Sequence, residues 1–251
     1  MDIITDQVGD FQPYYQDADC VIYHADCLPI LNALPAACAD VLLGDPPFCS
    51  GGSLESQKNT KGQGVRSEAD GFEWFAGDQM TTPGLVFLLR SVLVSTRRFL
   101  RPNRSALLWT DWRMVPNIAP AFESAGLRYR NMIVWDKGSA GLGMGFRPRH
   151  EILLEYTNGS TEYNSKSYGN VIAASRIPPA KRNHKCEKPL AVLNPVLDVC
   201  TKPDGVVVDP FMGGGSVLAS AMAMGRKYFG VEIEEKYCER AAKRKEQGKL
   251  F

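Results

Sequence analysis

The residues best suited to chemistry form the segment Asp45-Pro46-Pro47-Phe48. It follows the apolar run Val41-Leu42-Leu43, which is typical of a buried parallel strand, and the two prolines stop that strand from continuing. A carboxylate is therefore expected at the carboxyl end of a strand, beside a stiff loop. Ligands of open α/β sheets bind just outside these strand ends, so Asp45 is a candidate catalytic residue. The alternative is a solvent-facing turn, where Asp and Pro are common.

A second motif near the C-terminus, Asp209-Pro210-Phe211-Met212-Gly213-Gly214-Gly215-Ser216, lies between an apolar strand and an alanine-rich helix. Glycines let a ligand approach the backbone, and a helix N-terminus offers free N–H groups. The next strand ends at Glu232, 23 residues after Asp209, where an acid can bind ribose hydroxyls. This order predicts a cofactor cradle. Asp209 would repel a diphosphate and suits a cationic group, which favours a sulfonium nucleoside over NAD.

The elements before Asp45 repeat the same arrangement. The strand Val21-Ile22-Tyr23-His24 leads to Asp26, and apolar residues at helical spacing follow it before the next strand. Asp26 and Asp45 are therefore expected at the same edge of the sheet. The alternative for Asp26 is an N-cap of the following helix, and one residue can serve both purposes.

Composition indicates one α/β domain. The 251 residues suffice for one large core, and the 44% hydrophobic content and net charge of +1 are ordinary. The first residues lack the pattern of a leader, and no apolar run reaches membrane-spanning length, so we expect a cytoplasmic protein with no membrane partner. Seven scattered cysteines suit reduced thiols, and no set of ligands predicts a metal site. The acidic, turn-rich composition of residues 1–19 predicts a loosely packed arm.

Two segments lack hydrophobic periodicity. Residues 49–82 are rich in Gly, Ser and Lys and are expected to form a mobile loop that handles substrate. Residues 157–187 are irregular and basic, which suits either phosphate and base-edge contacts or a solvated loop. Candidate nucleic-acid contacts in and before this segment are Arg147, Arg149, Lys166, Arg176, Lys181 and Arg182. A further cluster, Arg97, Arg98, Arg101 and Arg104, could contact phosphate or complement a helix dipole.

Together these motifs resemble those of S-adenosylmethionine-dependent DNA amino-methyltransferases. The segment at Asp45 looks like their catalytic Asp-Pro-Pro-Tyr/Phe motif, and the segment at Asp209 looks like their cofactor motif. The order, with the catalytic motif first, resembles the circularly permuted β group. The resemblance implies a Rossmann-like α/β fold with a mostly parallel central sheet, helices on both faces and a single domain, in which residues 157–187 are a short inserted target-recognition segment.

The resemblance also implies roles for individual residues. Asp45 and the Pro46 carbonyl would accept hydrogens from an exocyclic amine, while Phe48 stacks on a flipped-out base and Pro47 completes the motif. Asp26 would hold the adenine of S-adenosylmethionine and Glu232 its ribose. The full set of expected cofactor-binding residues is Asp26, Cys27, Lys188, Asp209, Pro210, Phe211, Gly213, Gly215, Ser216 and Glu232. Implied partners are double-stranded DNA, a second copy of the chain and a cognate restriction endonuclease.

The sequence favours adenine-N6 over cytosine-N4 as the methylated position. The Asp-Pro-Pro-Phe form resembles the adenine enzymes more often, whereas cytosine-N4 enzymes often have Ser-Pro-Pro. Every residue discussed above would serve either base. The same motifs would also be compatible with a non-catalytic cofactor-binding protein, or with a methyltransferase that acts on RNA or on a protein amide.

Overall fold

The computed structural model describes residues 2–48, 80–141, 144–178 and 187–248. Most of the predicted loop at 49–82 lies outside these ranges, as do Lys181 and Arg182. The predictions for those residues stay predictions.

The described chain forms one nine-stranded sheet with the strand order β1-β2-β9-β8-β3-β4-β6-β5-β7. Neighbours from β2 to β4 are parallel, β6 is antiparallel to both β4 and β5, and β1 is antiparallel to β2. The strands are β1 (Tyr15–Gln16), β2 (Cys20–His24), β3 (Ala39–Gly44), β4 (Leu100–Thr110), β5 (Arg128–Asp136), β6 (His150–Thr157), β7 (Val171–Ala173), β8 (Val206–Asp209) and β9 (Lys227–Glu232).

Helices cover both faces of this sheet, which confirms the Rossmann-like α/β architecture. The helices are α1 (Cys27–Ala33), α2 (Thr82–Phe99), α3 (Val115–Ser124), α4 (Leu190–Cys200), α5 (Ser216–Ala223) and α6 (Glu235–Glu246). Apolar residues of α1, α2 and α3 pack in one core cluster, and those of α4, α5 and α6 pack in the cluster on the other face. The central strands are apolar throughout because both of their faces are buried.

One edge of the sheet gathers the candidate site residues. The parallel strands β2, β3, β8 and β9 end there, at His24, Gly44, Asp209 and Glu232 respectively. Because β6 runs the other way, it brings its first residues, His150 and Glu151, to the same edge. We call this the carboxyl edge.

The packing corrects one expectation and gives the arginine cluster structural contacts. The loose arm predicted for residues 1–19 is wrong, since Ile3, Ile4 and Val8 are fully buried, because α1 and the neighbouring strands leave an apolar surface for them to cover. Members of the arginine cluster have structural partners: the exposed Arg98 donates to the carbonyls of Leu31 and Asn32 at the end of α1. Arg101 and Arg104 pair with Asp40 near the start of β3, away from the carboxyl edge.

Within the described ranges, no helix is both long enough and apolar enough to cross a bilayer, and no cluster of three metal-ligating side chains is found. The five cysteines in these ranges, Cys20, Cys27, Cys38, Cys200 and Cys238, are buried free thiols.

Candidate active site

The two sequence motifs touch at Gly44, the last residue of β3. A Cβ atom added there would lie 3.1 Å from Leu108 Cδ2 and 3.3 Å from both Pro210 Cδ and Phe211 Cδ2. A larger residue would push the motif at Asp209 away from the strand. Glycine at this position therefore lets the Asp45 segment and the Asp209 segment pack directly against each other.

The carboxylate of Asp45 is engaged on one side only. Its Oδ2 accepts a hydrogen bond from the ammonium group of Lys188, whereas its Oδ1 is shielded from solvent and has no hydrogen-bond partner among the described residues. Burial and the nearby Glu151 carboxylate raise the pKa of Asp45, and Lys188 opposes that rise. A buried polar atom without a hydrogen-bond partner is costly in a native protein, and within the described ranges Oδ1 shares this property with Trp109 Nε1 and Glu151 Oε2 in the same site.

Lys188 also binds a second carboxylate. Its Nζ lies 3.2 Å from Glu151 Oε2, and the other oxygen of Glu151 accepts a hydrogen bond from Lys137. Burial alone would raise the pKa of Glu151, but the ammonium groups of Lys188 and Lys137 outweigh it and the pKa falls. The result is a chain of alternating charges, Asp45, Lys188, Glu151 and Lys137, which we call the charge chain.

Aromatic rings surround the charge chain. The Lys188 ammonium lies 5.5 Å from the centre of the Phe48 ring and 5.1 Å from that of Trp109, and Lys137 Nζ lies 4.9 Å from the Trp135 ring. These distances suit cation–π attraction. Pro46 is buried, and Pro47 and Phe48 are partly buried beside the second core cluster.

The carboxylate of Asp209, at the end of β8, is fully engaged. Its Oδ1 accepts from the Phe211 N–H at 3.1 Å, and its Oδ2 accepts from the Tyr228 hydroxyl at 2.9 Å. Tyr228 reaches it across Gly230, where a Cβ atom would lie 2.6 Å from the tyrosine ring. Burial raises the pKa of Asp209 to about 7, and these two hydrogen bonds only partly offset the rise.

The glycine turn after Asp209 has the backbone that its sequence requires. Gly213 and Gly215 both have positive φ, 51° and 79°, and Gly215 is the N-cap of α5. Ser216 begins that helix, and its Oγ accepts from the Lys188 N–H at 3.3 Å. A buried arginine on α6 braces the turn from behind: Arg244 donates to the Gly215 carbonyl at 3.0 Å and to Glu187 Oε1 at 2.8 Å.

Two acids lie side by side at the ends of β9 and β2. Glu232 accepts from the N–H groups of Gly213 and Glu234, both at 2.8 Å, and burial raises its pKa although these bonds oppose the rise. The exposed Asp26 caps α1 by accepting from Leu28 N at 2.9 Å, so the N-cap prediction is confirmed. Cys27 follows it and is buried, which raises its thiol pKa to about 12.

Four of the candidate nucleic-acid residues fall in described ranges, and all are exposed: Arg147, Arg149, Lys166 and Arg176. Arg149 pairs with Asp136, the last residue of β5, at 2.7 Å. The segment after 157 adds β7 to the sheet beside β5, and Arg176 follows that strand where it reaches the carboxyl edge.

Sequence reasoning missed several site residues. Glu151 and Lys137 belong to the charge chain, and the Trp109 ring contacts its Lys188 ammonium. Tyr228 donates a hydrogen bond to Asp209, and Arg244 donates one to the glycine turn. None of them lies in a recognisable motif. The one available signal was a charged residue, Glu151, directly before the apolar run Ile152-Leu153-Leu154, since a charge beside a buried run needs a partner.

Fold and site together define a Rossmann-like α/β protein with a glycine turn beside a partly satisfied buried carboxylate. Comparison with known proteins narrows this class: residues 39–244 match the N6_N4_Mtase family model, described as DNA methylase. The chain belongs to this family of DNA methyltransferases.

Relatives in sequence include the putative methylase YubD of Escherichia coli K12, which is 24% identical over 212 residues and 84% of each chain. Another is the type II methyltransferase M2.LlaDCHI of Lactococcus lactis subsp. cremoris, at 23% identity over 96% of this chain and 94% of that protein.

Solved structures share the fold. The cytosine-N4-specific PvuII DNA methyltransferase aligns with a TM-score of 0.73 and 14% identity, covering 93% of this chain and 88% of its own. The M1.HpyAVI complex with S-adenosylmethionine aligns with a TM-score of 0.64 and 19% identity, covering 90% of this chain and 98% of its own. TTHA0409 of Thermus thermophilus, also complexed with S-adenosylmethionine, aligns with a TM-score of 0.63 and 16% identity, covering 90% of this chain and 94% of its own.

Proposed function

We propose that this chain is a site-specific, S-adenosylmethionine-dependent DNA methyltransferase of the circularly permuted β group that modifies the N6 amine of adenine. The observation that supports it most is Asp45: a carboxylate at the carboxyl edge whose Oδ1 is buried and lacks a hydrogen-bond partner in the described part of the chain. Such an acceptor requires a hydrogen-bond donor, and an amine hydrogen of the target base would supply it.

The residues present fit S-adenosylmethionine. The positive φ of Gly213 and Gly215 opens the turn after β8, and the acids Glu232 and Asp26 end the two strands beyond it, as a nucleoside requires. Asp209 lies at the start of the turn, where a carboxylate favours a cationic ligand. When bound, the cofactor supplies an electrophilic methyl group on a sulfonium. Pro210, Phe211, Ser216 and the backbone of Lys188 complete the proposed lining, together with the buried Cys27.

The chain's own groups prepare the target amine. Its lone pair is delocalised into the base ring, so it is a weak nucleophile until hydrogen bonds draw the nitrogen toward tetrahedral geometry. Asp45 Oδ1 accepts a hydrogen bond from one hydrogen of the amine, and the Pro46 carbonyl accepts a hydrogen bond from the other. The base must leave the duplex to reach them, and Phe48 provides a face on which it stacks.

The proposed DNA surface lies around the same edge. Arg147, Arg149 and Arg176 are exposed there, and Lys166, Lys181 and Arg182 are assigned with them to phosphate or base contact. We also propose that the enzyme acts in the cytoplasm. A cognate endonuclease as partner is supported by the type II relative, and a homodimer by the resemblance to the β group.

Cytosine-N4 methylation is the second candidate, and the likeness to the PvuII enzyme favours it. The two are separated by incubating unmethylated plasmid DNA with the protein and methyl-labelled S-adenosylmethionine, followed by mass spectrometry of the nucleosides. Labelled N6-methyladenine is the expected product. N4-methylcytosine would reverse the base assignment, and the absence of any labelled nucleoside despite cofactor binding would refute DNA methylation.

A further inference from the structure

The charge chain places the ammonium group of Lys188 against Asp45, whereas its backbone N–H donates to Ser216 Oγ at the glycine turn. Its ammonium is divided between Asp45 Oδ2 and Glu151 Oε2, and its side chain is only 4% exposed. The charge chain has two carboxylates and two ammonium groups and is therefore neutral, which reduces the cost of burying its charges. The ammonium of Lys188 therefore serves the carboxylates it touches.

Lys188 is fixed at both ends. Its backbone N–H donates to Ser216 Oγ, and the preceding Glu187 is bound by the buried Arg244 at 2.8 Å. At the other end, the ammonium contacts the rings of Phe48 and Trp109 and pairs with the carboxylate of Glu151. A lysine has several rotatable bonds, so such restraint determines where its charge lies.

Restraining Lys188 determines which oxygen of Asp45 is presented. Because Oδ2 is occupied by the ammonium, the carboxylate cannot rotate freely, and Oδ1 is the oxygen left for a substrate. We propose that Lys188 is a positioning residue that orients Asp45 for the amine, and that Glu151, held by Lys137, positions Lys188 in turn. This inference rests on the proposed methylation of an amine and adds Glu151 and Lys137 to that site.

The charged groups that face Asp45 predict opposite effects for two variants. Lys188 lowers the pKa of Asp45, Glu151 raises it, Lys137 lowers it, and Asp209 is an acid near enough to couple with it. Lys188→Met should therefore raise the pKa of Asp45. Glu151→Gln should lower it, because a negative charge near Asp45 is removed and the Lys188 ammonium is no longer shared with a second carboxylate.

The test measures the Asp45 carboxyl directly and then activity. Carbon-13 NMR titration of Asp-labelled full-length protein, with the signal assigned from Asp45→Asn, should show the pKa moving up in Lys188→Met and down in Glu151→Gln. On DNA, the acidic limb of the kcat profile should move in the same two directions. Lys188→Met should also lose about 10²-fold in kcat, the scale of a misplaced reactive group, with the Kd for S-adenosylmethionine unchanged.

Lys243→Met is the matched control, because it removes one lysine from an exposed ion pair with Glu239 and should move none of these quantities. Equal losses of activity in both site variants with no opposite pH movement would overturn the proposal, as would a weaker cofactor Kd with unchanged kcat. If Lys188→Met does not fold, Glu151→Gln alone decides. A wild-type protein that methylates no DNA would refute the proposed function, whereas the NMR titration would still test the coupling.

Discussion

Asp45 and Asp209 end neighbouring parallel strands, and each is followed by a proline, yet their surroundings differ. Asp45 has a cationic partner, Lys188, on one oxygen and an unsatisfied second oxygen within the described structure. Asp209 has a neutral partner, the Tyr228 hydroxyl, and a backbone N–H, so both of its oxygens are engaged. Similar sequence at the same sheet edge thus yields one acceptor available to a substrate and one acid bound within the fold.

The difference extends to charge. With no cation beside it in the described ranges, burial raises the pKa of Asp209 to about 7, so this acid is near half protonation at neutral pH. A cationic group bound nearby would favour its ionised form. Asp45 instead depends on the charge chain to offset its burial.

Asp45→Ala should abolish catalysis but spare the cofactor site. We expect methyl transfer to fall by about 10³-fold, within the range for loss of a proton acceptor, with the Kd for S-adenosylmethionine within about twofold of wild type. Radiolabelled methyl transfer to DNA and calorimetric titration of the cofactor measure the two quantities. Asp45→Asn is the size-matched companion and should be equally inactive. Near wild-type methylation in either variant would remove Asp45 from its role.

Arg244→Ala should destabilise both motifs together. This arginine joins the Gly215 carbonyl to Glu187, next to Lys188, and the pair is almost fully buried. Removing Arg244 takes a cation away from the buried Glu187 carboxylate, at a cost of about 3–5 kcal/mol in the free energy of unfolding. Urea denaturation measures it, and the adjacent exposed Lys243→Ala should change stability by less than about 0.5 kcal/mol. Equal effects of the two substitutions would contradict the bracing role.

Asp209→Asn should change how stability depends on pH. The folded-state pKa of about 7 lies above the ordinary value of 3.8, so the unfolded chain loses its proton first and wild-type stability falls as pH rises between these values. At about 1.4 kcal/mol per pKa unit, the variant should be more stable by about 2–4 kcal/mol above pH 7 and nearly equal at pH 4. Denaturation at several pH values in the absence of cofactor measures this difference.

Asp26→Asn is the control for that series, since an exposed asparagine keeps the N-cap hydrogen bond. It should show the wild-type pH dependence. A pH-independent difference between Asp209→Asn and wild type would contradict the raised pKa of Asp209.

Tyr228→Phe should have the smallest effect. It leaves Asp209 Oδ2 buried without its donor, which costs about 1–3 kcal/mol at neutral pH. The cost should shrink in an Asp209→Asn background, because a neutral amide oxygen depends less on that bond. A double-mutant cycle in urea measures the coupling, with the more exposed Tyr14→Phe as control. Strict additivity would show that the hydroxyl does not support the acid.

Much of the fold and part of the site could be predicted from the sequence. Apolar runs, helical spacing and turn residues are local signals, so the central strands, the helices α1 and α5 and the positions of Asp45, Asp209 and Glu232 followed from them. Residues 1–19 were misjudged because their three buried apolar residues have no periodicity, and only the surface offered by α1 and its neighbours explains their burial.

The sequence by itself determined that two acid–proline motifs end strands of one sheet, because each motif is contiguous and encodes its own turn. Only the tertiary structure determined the hydrogen-bond and charged partners of each acid. Lys188, Glu151 and Lys137 lie far from Asp45 in the chain and meet it because β6 is antiparallel and α4 begins beside the glycine turn. The pKa of a carboxylate depends on the charges that lie near it in space, and no local sequence pattern identifies those neighbours.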